Sequence, residues 1–247
     1  MAKPTRYTEE LVEKYVSEGY FIPTTFVDFW DKNAELYPDR EAIVDSKSRI
    51  TWREAKLYSD RLALKLLELG CKKDDIVYIQ LPNRGELTLF RIACEKAGVL
   101  SLPVRRTLGK KEMEYMLGST KARVAVIPWR YRDRDYLADI TELRTRLPHL
   151  KHIFVCGNET PPGTISVKEV ISTPLERNYP PNYLKKTRYG PFEVWWLAHT
   201  TGTTGLPKFC EFTICARVCS GREFVKLFHI TDEDILSYFA PVIGGPN

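Results

Sequence analysis

Val194-Trp195-Trp196-Leu197-Ala198, followed at once by His199-Thr200-Thr201-Gly202-Thr203-Thr204-Gly205-Leu206-Pro207-Lys208, decides how the rest of the chain is read. The first five residues are an unbroken apolar run of aromatic and β-branched type, the pattern of a buried strand. The next ten can turn several backbone N–H groups onto an anion, because Gly202 and Gly205 permit positive φ and close backbone approach. Thr200, Thr201, Thr203 and Thr204 add hydroxyl donors, and Lys208 adds a mobile point charge suited to phosphate. A polyphosphate-binding loop at the C-terminal end of a strand is the arrangement by which open α/β sheets hold ligands. The competing reading is a Thr/Gly surface turn.

Upstream, strand-like and helix-like segments alternate. Thr24 and Thr25 open a predicted helix carrying Phe26, Phe29, Trp30 and Leu36, stopped by Pro38. Ala42–Val44 and Ile50–Trp52 read as short strands, and Thr51 with Glu54 forms a capping box for a helix with Leu62, Leu66 and Leu69 on one face. Residues 75–81 read as a strand, Asn83 with Glu86 as a second capped helix start, and Gly98 as that helix's end. Residues 99–104, 124–127 and 153–156 continue the strands, with helices near 110–118 and 134–147 between them. Such alternation predicts a parallel sheet flanked by helices. Residues 157–192 are rich in Pro, Gly and charge and read as a long surface connection with one short helix near 166–171. Beyond the loop, a helix is expected over 216–228 and a last strand over 235–239.

Composition narrows the partners without choosing a reaction. The 247 residues are 43% hydrophobic and 28% charged, enough to build a large core. No charged start leads into an apolar segment, and no apolar run approaches membrane-spanning length, so neither export nor membrane insertion is expected, and the cytoplasm is the expected location. The formal charge of +5 is spread among acids; Arg130, Arg132 and Arg134 alternate with Tyr131, Asp133 and Asp135 as a solvated face does, so no nucleic-acid partner is expected. Arg105-Arg106 and Lys110-Lys111 form a second basic cluster, either simply exposed or facing a nucleotide or coenzyme phosphate. The six cysteines are expected as reduced thiols, and Cys210, Cys215 and Cys219 lack a fourth ligand at zinc spacing, so they read as buried small side chains and no metal site is expected from them.

The loop is neither a Walker loop, which needs Gly-Lys-Ser/Thr in sequence, nor a dinucleotide fingerprint. Residues 200–208 instead run hydroxyl, hydroxyl, Gly, hydroxyl, Thr, Gly, any, Pro, Lys, and in this they resemble the adenylate-forming superfamily of acyl-CoA synthetases and aryl-acid AMP ligases. Its two glycines and proline alone recur by chance at about 2 starting positions in 10,000. Two upstream segments are also similar to that family: Ala42-Ile43-Val44 with Ile50-Thr51-Trp52-Arg53-Glu54-Ala55, and Ile92 to Pro103 around Ala97-Gly98. The resemblance extends over almost the whole chain.

That resemblance implies an α/β fold: parallel-sheet-rich lobes flanked by helices, like the N-terminal subdomains of adenylate-forming enzymes, truncated. It divides the chain into a first α/β lobe at 1–156, a Pro/Gly-rich connection at 157–192, and at 193–247 the phosphate-loop strand, its loop and the start of a second lobe. It also implies a reaction in which a carboxylic acid and ATP with Mg2+ give an acyl-adenylate and pyrophosphate, with coenzyme A as the acceptor. Thr200, Thr201, Gly202, Thr203, Thr204, Gly205 and Lys208 would then bind nucleotide phosphate, and Gly244 and Gly245 would open the acid pocket where aryl-acid ligases often carry His-Asn. The family's adenine, ribose and lid motifs would lie beyond Asn247. Little or no ligase activity is therefore expected of this polypeptide alone, which is read as the N-terminal portion of a ligase, with a non-catalytic phosphate-binding or interaction module as the alternative. The apolar stretch 235–243 is a candidate surface for self-association or for the missing C-terminal portion.

One position departs from the family, which usually carries Gly after the loop lysine. Here Phe209 stands there, and either it crowds the loop or the backbone is extended and accepts it.

Overall fold

In a computed structural model of the chain, residues 7–200 and 207–238 are described. Helix α1 (Glu9–Ser17) precedes α2 (Phe26–Leu36), a hairpin of β1 (Glu41–Val44) and β2 (Arg49–Thr51), and the long α3 (Trp52–Glu68). Next come β3 (Ile76–Ile79), α4 (Gly85–Ala97), β4 (Leu100–Pro103), α5 (Lys110–Thr120) and β5 (Val124–Pro128). A two-residue hairpin, β6 (Arg130–Tyr131) and β7 (Arg134–Asp135), leads into α6 (Tyr136–Arg144), β8 (His152–Cys156), β9 (Ile165–Ser166) and α7 (Val167–Ser172). Two 3-10 turns follow, then β10 (Val194–His199), β11 (Phe209–Thr213) and α8 (Ile214–Leu227).

Seven strands form one sheet in the order β11-β10-β4-β3-β5-β8-β9, parallel throughout except for β11, which returns antiparallel to β10. Because successive strand residues face opposite sides, each interior strand feeds two cores. Val77, Ile79, Val124, Val126 and Phe154 pack with α3 and α4, whereas Tyr78, Ala125, Ile127, Ile153 and Val155 pack with α5 and α6. The expected parallel sheet between helix layers is thus present.

The Thr51–Glu54 capping box forms as read: the Thr51 hydroxyl accepts from the Glu54 amide at 3.3 Å, and the Glu54 carboxylate accepts from the Thr51 amide at 2.8 Å. Gly98 ends α4 at φ +69, and a Cβ there would collide with the Thr187 carbonyl, so glycine is required twice over.

Several expectations are corrected. Asn83 does not cap α4: its N-cap is Arg84, with no side-chain capping bond, and the Gly85 amide instead donates at 2.7 Å to the carboxylate of Asp45, forty residues upstream. Burial pushes the Asp45 carboxyl up, but the amides of Gly85, Lys47 and Ser48 more than offset this and hold it below its ordinary pKa. On α2 the inward face is Val27, Trp30 and Ala34, while Phe29 and Leu36 are exposed. Trp52 begins α3 rather than ending β2. The short helix expected near 166–171 is present as α7, but segment 157–192 also supplies an edge strand and the buried Val167, Val170, Leu175 and Tyr189, so it is more than a surface connection. Of the strand expected over 235–239, residues 235–238 form none, and Phe239 lies outside the described residues; among the described residues β11, the sheet edge on that side, pairs with β10 alone. Cys210 is exposed, whereas Cys215 is buried and Cys219 half-buried; all six cysteines are free.

Glu95, at the end of α4, is buried and accepts a 2.9 Å bond from the Val27 amide at the start of α2. Burial, the dominant influence, raises its pKa to about 7 from 4.5. The native state therefore holds this proton where the unfolded chain has lost it, and the associated stability is full below pH 4.5 and is lost as pH rises toward about 7. Glu95→Gln is expected to flatten that decline, which urea titrations at a series of pH values across the window would read.

Candidate functional site

Parallel strands end together, so the segments leaving β3, β4 and β10 gather at one edge of the sheet, with the β10 loop among them. β10 and β11 pair from Val194 opposite Thr213 to His199 opposite Phe209, and the loop is the connection of this antiparallel hairpin. Its neck is closed by two bonds: the Thr200 amide donates to the Lys208 carbonyl at 2.9 Å, and the Lys208 amide donates to the Thr200 hydroxyl at 3.2 Å. The Lys208 side chain is exposed, and no carboxylate pairs with it among the described residues. Thr201, Gly202, Thr203, Thr204, Gly205, Gly244 and Gly245 lie outside the described residues.

The Phe209 question is answered by the strand. Phe209 is extended backbone in β11, and its ring stacks on Tyr115 of α5 at 6.1 Å between centroids and 15° between planes. Tyr115 also donates its hydroxyl to the Pro207 carbonyl at 3.1 Å. One side chain thus holds the residues on both sides of Lys208.

The turn after β4 lies at the same edge. Gln80, fully buried just past β3, donates from Nε2 to the carbonyls of Arg105 at 3.1 Å and Leu108 at 3.0 Å, and its Oε1 accepts from the Tyr78 hydroxyl at 2.8 Å. Tyr136 donates to the Arg106 carbonyl at 2.8 Å, and the Arg134 guanidinium donates to the Leu108 carbonyl. Arg105 is therefore carried on a fixed turn. Burial lowers the pKa of His199, the Thr200 carbonyl opposes this, and the charge of Arg105 lowers it further. Within the second basic cluster, Lys110 is ion-paired with Glu142. Arg134 is likewise no plain solvated charge, for it reaches Asp139 at 2.8 Å and lies 4.4 Å over the Tyr136 ring.

Gln80 and Tyr115 were not singled out from sequence. A glutamine ending an apolar strand was the available signal for the first; for the second, ninety-two residues separate the tyrosine from its acceptor and no local pattern marks it. Two clefts lie elsewhere: one of about 260 Å3 between α2, α3, α4 and residues 179–185, and one of about 270 Å3 beside Trp129 and Cys156. Neither contains a residue of the loop. Among the described residues no group of His, Cys, Asp and Glu could hold a metal, and no helix is long and apolar enough to cross a membrane.

A family model described as AMP-binding enzyme matches residues 30–243. The chain is 25% identical over 234 residues to 2-hydroxy-7-methoxy-5-methyl-1-naphthoate–CoA ligase of Streptomyces carzinostaticus, covering 90% of this chain and 42% of that protein. It is 24% identical over 238 residues to medium-chain fatty-acid–CoA ligase of Escherichia coli, covering 96% and 41%. It is 33% identical over 158 residues to 2,3-dihydroxybenzoate-AMP ligase of Bacillus subtilis, covering 62% and 28%. The chain thus spans about two-fifths of the length of the first two relatives. Among solved structures, the apo form of Mycobacterium smegmatis MbtA superimposes with a TM-score of 0.79 at 23% identity, over 93% of this chain and 41% of that one, a likeness of fold.

Proposed function

The chain belongs to the AMP-binding enzyme family, and from that premise we propose that it is the N-terminal portion of an ATP-dependent acyl- or aryl-CoA synthetase or carboxylate–AMP ligase, with little or no ligase activity of its own. The observation that carries this reading is the neck of the β10–β11 hairpin, where Lys208 is fixed in backbone and exposed in side chain at the C-terminal edge of a parallel sheet.

The residues present fit a nucleotide triphosphate. Lys208 offers an ammonium with no carboxylate partner among the described residues, and Arg105 stands on a braced turn at the same edge. Thr200 to Gly205 and Lys208 are the proposed grip on the β- and γ-phosphates. In this reading magnesium neutralises phosphate charge and coenzyme A is the acceptor thiol, while the chain's own part is charge stabilisation and alignment of the phosphates. The acid pocket opens at Gly244 and Gly245, and a cytoplasmic setting goes with the reading. The stretch 235–243, whose Ile235, Leu236 and Tyr238 are 59–91% exposed, is the proposed seat for a C-terminal portion or a second copy.

Titrating the chain with MgATP by calorimetry tests this. Lys208→Ala is expected to weaken binding about tenfold, the scale of one charge-assisted hydrogen bond. Equal affinity in wild type and variant removes Lys208 from the site. ATP–pyrophosphate exchange above background with a panel of carboxylic acids would overturn the expected inactivity.

A further inference from the structure

Lys208 sits between two residues that a single side chain holds. On one side the Tyr115 hydroxyl donates to the Pro207 carbonyl at 3.1 Å; on the other its ring stacks on Phe209 at 6.1 Å and 15°. Pro207 is buried and Phe209 half-buried, whereas Lys208 itself is exposed. The Lys208 backbone is spent on Thr200 through both its N–H and its C=O. Apart from the rotamers of its own stem, nothing about the lysine is left to vary.

A flexible lysine pays a large rotamer cost whenever it engages an anion. Fixing the backbone beneath it removes the part of that cost that arises from the chain. Tyr115 supplies this fixing from α5, whose Met113, Met116 and Leu117 are buried against the sheet, so the support is part of the core rather than of the loop. Phe209 is the other half: glycine there would offer Tyr115 no ring to lie against and would free φ at the residue after the lysine.

We propose that Tyr115 is a positioning residue for phosphate recognition, acting through Pro207 and Phe209 to hold Lys208 where its ammonium meets a nucleotide phosphate. This rests on the phosphate reading of Lys208 given above. The Phe that replaces the family's usual Gly at 209 is, on this account, one face of a clasp.

Tyr115→Phe deletes the hydroxyl and keeps the ring, which makes it the sharpest variant. It is expected to weaken MgATP about fivefold with the thermal midpoint little changed, the scale of one neutral hydrogen bond. Phe209→Gly is expected to weaken it further, and Phe209→Tyr, which preserves the stack, to restore wild-type affinity. Tyr115→Phe combined with Lys208→Ala should bind no more weakly than Lys208→Ala alone, since Tyr115 acts through the lysine. Additive losses in that cycle, or unchanged affinity in Tyr115→Phe while Lys208→Ala is impaired, would overturn the proposal. Backbone hydrogen exchange supplies a readout without ligand: Tyr115→Phe is expected to speed exchange at the Lys208 and Phe209 amides, and unchanged rates overturn the proposal. Should wild type itself not bind MgATP or magnesium pyrophosphate, the phosphate reading fails, and positioning for phosphate fails with it even where exchange shows the clasp to exist.

Discussion

Lys96→Met is expected to lower the unfolding free energy by about 3 kcal/mol, the lower part of the range for removing one member of a buried ion pair. Lys96 is 1% exposed at the end of α4, and its ammonium lies 3.0 Å from Asp31 of α2 and 2.5 Å from Asp60 of α3. Lys56 completes the group, 2.6 Å from Asp60 and 3.7 Å from Asp31. Two cations thus balance two anions where three helices meet. Methionine fills the space of the lysine stem but leaves one cation facing two carboxylates, which repel each other and are less solvated than free side chains. The remaining exposure of Asp31 and Asp60, at 30% and 19%, keeps the cost below that of a fully enclosed pair. Adding Asp60→Asn restores the balance to one cation and one anion. The double variant is therefore expected to be more stable than Lys96→Met alone, and chemical denaturation of both decides it. Equal stabilities would mean that lost packing, not uncompensated charge, dominates.

This network also shows what the sequence could not carry. The Thr51–Glu54 box, the Gly98 stop and the apolar strands were legible because their causes lie within a few residues: a hydroxyl beside an amide, a positive φ, an unbroken apolar run. Asp45 capping α4, Glu95 holding the start of α2, and Lys96 gathering Asp31 and Asp60 were not, since each joins groups brought together only by packing. The error at Asn83 is of this kind, for local capping chemistry was present and a distant carboxylate won the amide. The run at 235–238 failed for the opposite reason: its composition suits a strand, but a strand needs a neighbour, and among the described residues β11 pairs with β10 alone.

At the site the same division holds. Lys208 and the threonines announced themselves by composition and spacing, and the strand before them by its apolar run. The support did not, because Gln80 and Tyr115 reach their acceptors across twenty-five and ninety-two residues. Phe209 illustrates the consequence. In sequence it departs from a family pattern, whereas in the fold it lies on an aromatic partner that no local reading supplies.

Trp196→Ala is expected to cost about 3–5 kcal/mol, the usual range for emptying a buried aromatic site, and to strike the loop-bearing hairpin before the rest of the sheet. Trp196 is 1% exposed at the middle of β10, stacked on Phe212 at 4.7 Å, with the guanidinium groups of Arg91 and Arg217 at 4.8 and 5.1 Å from its ring centroid. Cation–π attraction grows as the cation loses water, and burial is what pulls the Arg91 pKa down to about 10. Alanine removes the face that both cations use, so a cavity and two less favourable charges arise together. The backbone offers little to compensate: β10 registers with β4 through the single pair Trp196 and Ser101, backed by the Ser101 hydroxyl on the Trp195 carbonyl at 3.2 Å, whereas β5 and β8 register over five. Side-chain packing therefore carries most of the junction between the hairpin and the parallel sheet. Hydrogen exchange is expected to accelerate across β10 and β11 while the β5 and β8 amides keep their protection. Trp196→Phe, which keeps a ring for both guanidinium groups and removes an indole N–H that finds no acceptor among the described residues, is expected to retain most of the stability. Uniform loss of protection across all seven strands in Trp196→Ala would mean that the sheet unfolds as one unit, and the single-pair junction would then not be the weak point of the fold.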